Sequence, residues 1–164
     1  MSDMRVNLRG VTLKNPVIAA SGTFGYGMEY NEFYSISRLG GISCKGTAIE
    51  EWKGNPTPRI AETPAGMLNS VGLQNPGMDA LLNIYLPWLK GQDIVVIANA
   101  AGHSLEEYCA VAERLGDSTV DMVELNISCP NVKEGGVNFG TSCDSVARVT
   151  AEVKKRCGKP LMVK

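Results

Sequence analysis

Residues 94–126, IVVIANAAGHSLEEYCAVAERLGDSTVDMVELN, decide the fold of this chain. The stretch begins with an apolar, β-branched run at residues 94–99 and ends with a second run at residues 122–126. Between the two runs, Ser104 and Glu107 have the spacing of a helix-capping box, and an amphipathic pattern follows them. A strand, a covering helix and a second strand form a βαβ unit, and such units build a parallel sheet.

The same alternation continues on both sides of this unit. Five strands are predicted, at residues 16–20, 41–45, 94–99, 122–126 and 160–164. Two further amphipathic helices are predicted, one at about residues 78–89 and one from Ser142 or Asp144 to Cys157. At the N-terminus, two short apolar runs flank Arg9-Gly10, which indicates a β-hairpin. The fold class is therefore α/β with a parallel sheet, preceded by a hairpin.

Composition narrows the class of protein. The 164 residues are 44% hydrophobic and carry 16 basic and 17 acidic side chains, for a formal net charge of -1. Nucleic-acid binding requires clustered basic residues, so a nucleic-acid partner is not expected. No apolar run approaches the roughly 20 residues that cross a bilayer, and no secretory leader is evident, so a soluble, cytoplasmic location is expected.

Polar residues stand at the carboxyl end of every predicted strand. They are Ser21, Lys45, Asn99, Asn126 and Lys164. Any one of them could simply mark the return of the chain to solvent, but ligands of parallel α/β proteins bind at this edge, and five polar residues together favour a site. The lysines favour an anionic or electron-rich ligand. The asparagine amides suit a planar ring such as a nucleobase or a flavin.

The five cysteines form no C-x-x-C pair, so neither a disulfide framework nor a zinc or iron–sulfur ligand set is predicted. Cys129 lies three residues past a strand end, where a thiolate could act as a base. The positions of Cys44, Cys109 and Cys157 predict buried apolar residues instead. The position of Cys143, at a predicted helix start, leaves both interpretations open. The single histidine, His103, is interpreted as a helix-start residue rather than a base.

Five segments carry a resemblance to a known family. They are ASGTFG at residues 20–25, KGT at 45–47, GNPTPR at 54–59, MLNSVGLQNPG at 67–77 and NISCPN at 126–131. Together they resemble the catalytic subunit of class 1B dihydroorotate dehydrogenases along essentially the whole chain. The resemblance implies a TIM (β/α)8 barrel that binds FMN and oxidises dihydroorotate to orotate in de novo pyrimidine biosynthesis, with residues 1–164 as the N-terminal part of one domain.

The resemblance also implies roles for individual residues. Cys129 is the implied base, which removes the C5 proton of the substrate while hydride leaves C6 for the flavin. The implied substrate-binding residues are Lys45, Asn69, Ser70, Val71, Gly72, Leu73, Asn126 and Asn131. The implied FMN-binding residues are Ser21, Lys45, Gly46, Asn99, Asn126 and Lys164. No metal ligand is implied on this chain.

The resemblance further implies a partner subunit that carries FAD and a [2Fe-2S] cluster, passes electrons to NAD and forms a heterotetramer with this subunit. A (β/α)8 barrel typically takes about 250 residues, so we expect the barrel here to stop after about its fifth strand, and the chain alone to be inactive and to hold FMN poorly. Two alternatives remain: the pyrimidine-reducing domain of a dihydropyrimidine dehydrogenase, and a non-catalytic binding module.

Overall fold

A computed structural model describes residues 2–128 and 137–164 of the chain. The predicted N-terminal hairpin is confirmed. Strands β1 (Val6–Leu8) and β2 (Val11–Leu13) pair in antiparallel register. Arg9 and Gly10 both have positive φ at the turn between them, which suits the right-handed twist of a two-residue hairpin.

A five-stranded parallel sheet follows, and it confirms the predicted α/β class. Its strands lie in the order β3-β4-β7-β8-β9, so each central strand pairs with its predecessor and its successor in the sheet. Their bounds are β3 Ile18–Ala19, β4 Gly41–Ser43, β7 Val95–Ala100, β8 Met122–Leu125 and β9 Leu161–Val163. All five predicted strands are present, four of them shorter than predicted. Helices cross over between them, as in successive units of a (β/α)8 barrel.

Within residues 2–128 and 137–164, six α-helical segments are present. Their bounds are α1 Met28–Asn31, α2 Gly77–Ala80, α3 Leu86–Lys90, α4 Leu105–Gly116, α5 Val137–Gly140 and α6 Cys143–Arg156, with a 3-10 turn at Ile36–Arg38. The serine cap predicted for α4 is present, and α6 follows Ser142, one of its two predicted starting residues. Ser104 accepts from the backbone N–H of Glu107, and Ser142 accepts from that of Ser145. No helix in the described part of the chain is long and apolar enough to cross a membrane.

The helix predicted at residues 78–89 is confirmed, with a difference in its middle. The turn Leu81–Tyr85 between α2 and α3 is a π-helix. Pro87 follows two residues later and has no N–H to continue the ordinary i→i−4 ladder, so the preceding turn widens to accommodate it.

A second antiparallel hairpin was not predicted. It consists of β5 (Ile60–Thr63) and β6 (Gly66–Asn69), and all eight strand residues are exposed. Arg59 holds its base. The guanidinium of Arg59 donates to the carbonyl oxygens of Lys53 and Asn55 and to the amide oxygen of Gln74, at 2.6–2.7 Å.

The two faces of the parallel sheet differ in chemistry, because successive strand residues point to opposite faces. One face packs against the helices, where Ile42, Val96, Ala98 and Val123 join the apolar core. The residue that follows Ile42, Ala98 or Val123 faces the other way and is polar on each of three neighbouring strands. These are Ser43 of β4, Asn99 of β7 and Glu124 of β8, all buried. The fold therefore gathers polar groups on the face opposite the helices.

Candidate functional site

A buried carboxylate is the centre of the polar face. One oxygen of Glu124, Oε1, accepts from the hydroxyls of Ser21 and Ser43, each at 3.0 Å, and from the Nδ2 amide of Asn99. We refer to Ser21, Ser43, Asn99 and Glu124 as the Glu124 cluster. Three strands supply its members directly and Ser21 follows a fourth, so sheet pairing fixes their relative positions.

Two residues at the strand ends extend the cluster. The Lys164 ammonium donates to the Ser21 hydroxyl at 3.1 Å. The Asn126 amide donates to Asn99 Oδ1 at 3.3 Å, and Asn126 Oδ1 accepts from the backbone and hydroxyl of Ser128. The structure thus brings together four of the five strand-end residues that the sequence singled out: Ser21, Asn99, Asn126 and Lys164.

Gly46 packs directly against this group. A Cβ at Gly46 would lie 2.7 Å from Asn99 Oδ1, 3.3 Å from Leu73 and 3.6 Å from the Asn126 amide. Only a residue without a side chain lets the backbone approach the two amides this closely. Gly46 therefore lies at the same edge as Asn99 and Asn126.

Lys45 lies beside a separate opening at the same edge. Its backbone N–H donates to the carbonyl of Gly25, and its carbonyl accepts from the Thr47 hydroxyl, both at 2.9 Å. Lys45 lines a cavity of about 380 Å³ together with Tyr26 and Glu29. The Tyr26 hydroxyl contacts Thr47 at 3.1 Å, and burial raises the pKa of Tyr26 well above its usual value. No pattern in the sequence indicated this cavity.

The backbone of Asn126 is also held by a side chain from helix α4. Tyr108 of α4 is fully buried and donates its hydroxyl to the Asn126 carbonyl at 2.6 Å. Its ring packs edge-on against Phe139, with centroids 5.8 Å apart. A buried helical side chain therefore sets the backbone position of a predicted site residue.

The remaining predicted residues are placed differently. Asn69 is exposed at the end of β6, and Ser70 after it receives the Asn55 amide at its hydroxyl at 2.9 Å. Val71, Gly72 and Leu73 are half-buried in the segment that returns toward Gly46. Cys129 and Asn131 lie outside the described residues, so their predicted roles stay predictions.

Sequence reasoning missed Glu124 and Ser43. Each lies two residues before a predicted strand-end residue, Lys45 or Asn126, so the pattern of polar strand ends does not include it. A signal was present in residues 122–126, Met-Val-Glu-Leu-Asn, where the acidic residue and the predicted site residue Asn126 are two apart and so share a face. His103, in contrast, is a helix-start residue as predicted: its backbone N–H donates to Glu107 at 2.7 Å, and its ring packs on Trp52.

The cysteines provide a test of the packing. Cys44, Cys109 and Cys157 are buried, as predicted, whereas Cys143 is exposed at the start of α6. Burial, with a smaller contribution from the Glu124 charge, raises the pKa of the Cys44 thiol to about 12.

Because the thiolate is the nucleophile, Cys44 should stay unmodified by iodoacetamide at neutral pH while Cys143 reacts. Peptide mass spectrometry before and after denaturation measures this, and early labelling of Cys44 would contradict the packing.

The fold and this edge define a class of protein: an α/β protein of the (β/α) barrel type, with a polar candidate site at the carboxyl ends of its parallel strands. The chain belongs to the dihydroorotate dehydrogenase family. The sequence model described as dihydroorotate dehydrogenase matches residues 3–164. The predicted family is thus confirmed.

Named relatives agree with this assignment. The chain is 53% identical over 164 residues to the "Dihydroorotate dehydrogenase B (NAD(+)), catalytic subunit" of Petrotoga mobilis, covering 100% of this chain and 55% of that protein. It is 56% identical over 162 residues to the protein of the same name from Alkaliphilus metalliredigens, covering 99% of this chain and 54% of the relative. The chain therefore spans about half the length of these relatives.

A solved structure supports the fold. DHODH from Eimeria tenella, crystallised in complex with ferulenol, superposes with a TM-score of 0.71 over 94% of this chain and 44% of that one. The identity is 20%, so this likeness concerns the fold alone. The predicted TIM-barrel architecture agrees with it.

Proposed function

We propose that this chain contributes to an FMN-dependent dihydroorotate dehydrogenase of the NAD-linked B type. The observation that carries the proposal is the coincidence of two independent results. Relatives 52–56% identical to this chain are named as that catalytic subunit. In this chain, five of the six residues that the family resemblance assigns to FMN lie around one buried network at the carboxyl edge of the sheet, and the sixth, Lys45, lines a neighbouring cavity.

The donor chemistry of this edge fits a flavin. The pyrimidine edge of an isoalloxazine ring carries oxygen and nitrogen acceptors, and Lys164 and Asn126 both supply N–H donors to the network. A lysine near the ring also stabilises the negative charge that accumulates on a flavin during reduction. The close approach of Gly46 leaves no side chain between the backbone and the amides. When bound, FMN would supply an acceptor for two electrons.

The protein residues would then position the substrate and move a proton. Lys45 would pair with the substrate carboxylate, and Asn69, Asn126 and Asn131 would hold the pyrimidine ring together with the 70–73 segment. The C5 proton would pass to the Sγ atom of Cys129. These roles rest on the family resemblance. The position of Asn126, fixed by Tyr108 and Asn99, is what the fold adds to them.

We also propose a partner subunit, because the relatives are named catalytic subunits. FAD and a [2Fe-2S] cluster on that partner would carry electrons to NAD, in a heterotetramer located in the cytoplasm. This arrangement assigns no cluster ligands to the present chain.

A matched pair of substrates tests the proposed function. The natural polypeptide that contains this sequence should purify with FMN, and dihydroorotate should bleach its visible flavin absorbance under anaerobic conditions. Dihydrouracil, which is the same ring without the carboxylate, should not bleach the flavin, because it lacks the group that Lys45 would bind. Bleaching by dihydrouracil would instead support a dihydropyrimidine dehydrogenase, and the absence of any flavin would support the non-catalytic alternative.

A further inference from the structure

We propose that Glu124 is a positioning residue of the flavin site, which orients Ser21 and Asn99 and supplies the countercharge of Lys164. The inference rests on the proposed function, since it concerns the same FMN site. Glu124 is not among the residues that the family resemblance assigns to substrate or cofactor. The proposal follows from the direction of the hydrogen bonds around it.

Every described polar contact of Glu124 delivers a donor to it. Ionised carboxylates only accept hydrogen bonds, so Glu124 settles the orientation of each neighbour. The Ser21 and Ser43 hydroxyls must direct their protons toward Oε1, and Asn99 must present its NH2 rather than its oxygen. Glu124 is thus the common acceptor of the cluster.

These orientations determine what the outer residues present. Because the Ser21 proton is directed to Glu124, a lone pair of its oxygen accepts from the Lys164 ammonium. Because the Asn99 NH2 is directed to Glu124, its Oδ1 accepts from the Asn126 amide. The hydrogen bonds therefore form two series that both end at Glu124, one from Lys164 through Ser21 and one from Asn126 through Asn99. The outermost donor groups of the two series are the Lys164 ammonium and the amide of Asn126, whose Oδ1 accepts from Ser128.

The negative charge of Glu124 has a second effect, which acts on Lys164. One hydroxyl separates the Lys164 ammonium from the Glu124 carboxylate, with contacts of 3.1 and 3.0 Å. The carboxylate therefore offsets part of the positive field that Lys164 exerts on a neighbouring ring. Removing the negative charge should strengthen that field and favour the reduced, more negative flavin over the oxidised one.

The test compares the affinities of oxidised and reduced FMN for the natural polypeptide that contains this sequence. Glu124→Gln removes the charge and keeps the shape. The ratio of the dissociation constant for oxidised FMN to that for reduced FMN should rise about tenfold, equivalent to about 30 mV for a two-electron couple. Glu113→Gln, the same exchange on the exposed face of α4, should leave the ratio unchanged. A purely structural role for Glu124 would weaken both states equally, and an unchanged ratio overturns the proposal.

A second variant tests the positioning role, even if Glu124→Gln fails to fold. Glu124→Asp keeps the charge but is one methylene shorter, so Ser21 and Asn99 lose their acceptor. Both FMN states should then bind several-fold more weakly, with a ratio within about twofold of the wild-type value. Unchanged affinity for both states would overturn positioning by Glu124. If the unmodified protein binds no FMN at all, the proposed function itself fails, and this outcome is distinct from either variant result.

Discussion

Replacing Cys129 by serine is expected to lower kcat by about 10²- to 10⁴-fold in the natural polypeptide that contains this sequence, because a positioned general base typically contributes that much. A serine hydroxyl is a far weaker acid than a thiol, whose pKa is about 8.5, so the pH optimum should also shift upward. FMN should stay bound. Steady-state kinetics across pH, together with the flavin spectrum, measure all three effects.

Cys143→Ser is the matched control for this variant. Cys143 is exposed at the first residue of α6, and the exchange there should leave turnover unchanged. If Cys129→Ser retained full turnover, Cys129 would be excluded as the base. Loss of activity accompanied by loss of flavin would point instead to a role in holding the cofactor.

Gly40→Ala is expected to have the largest effect on stability. Gly40 precedes β4, and its backbone N–H donates to the Val17 carbonyl at 2.9 Å. A Cβ at Gly40 would overlap the carbonyl oxygen of Asn15 and lie 2.9 Å from its carbonyl carbon. These are backbone atoms and cannot rotate away, so the segment that leads into β3 must shift relative to β4. We expect a loss of about 3 kcal/mol in the free energy of unfolding, or about 10 °C in Tm.

Gly158→Ala provides the comparison. A Cβ at Gly158 would meet no atom within 4 Å, so this alanine should change stability by less than about 1 kcal/mol. Calorimetry of both variants separates the effect of space from the general effect of replacing glycine. Equal Tm values for the two variants would show that β3 and β4 tolerate a wider separation than their packing indicates.

The sheet and its two long helices were predictable because each carries a strong local signal. The β7 and β8 runs are apolar and bounded by polar residues, and α4 and α6 begin at serines that cap them. The β5–β6 hairpin carries no such signal. All eight of its residues are exposed, so no alternation of buried and solvent-facing positions marks it in the sequence.

The candidate site was predictable in outline and not in its chemistry. Strand ends of a parallel sheet must converge, and Ser21, Asn99 and Lys164 do so. Which groups pair with one another depends on the register between strands, and register is a tertiary property. Asn99 lies opposite Glu124 only because β7 and β8 pair with that alignment. The acceptor at the centre of the network therefore could not be read from spacing along the chain.

Through the guanidinium of Arg59, the GNPTPR segment at residues 54–59 has a structural role. Residues 60–69 form an exposed hairpin, and at its base the guanidinium of Arg59 donates to three acceptors from two separate stretches of chain. The guanidinium spreads its donors over three nitrogens in a rigid plane, so it reaches acceptors that lie farther apart than the single nitrogen of a lysine could span. Asn69 pairs with Ile60 at this base, so the contacts of Arg59 and the bonds from Asn55 to Ser70 together determine where Asn69 lies. The GNPTPR segment, which helps identify the family, thus anchors the β5–β6 hairpin through Arg59.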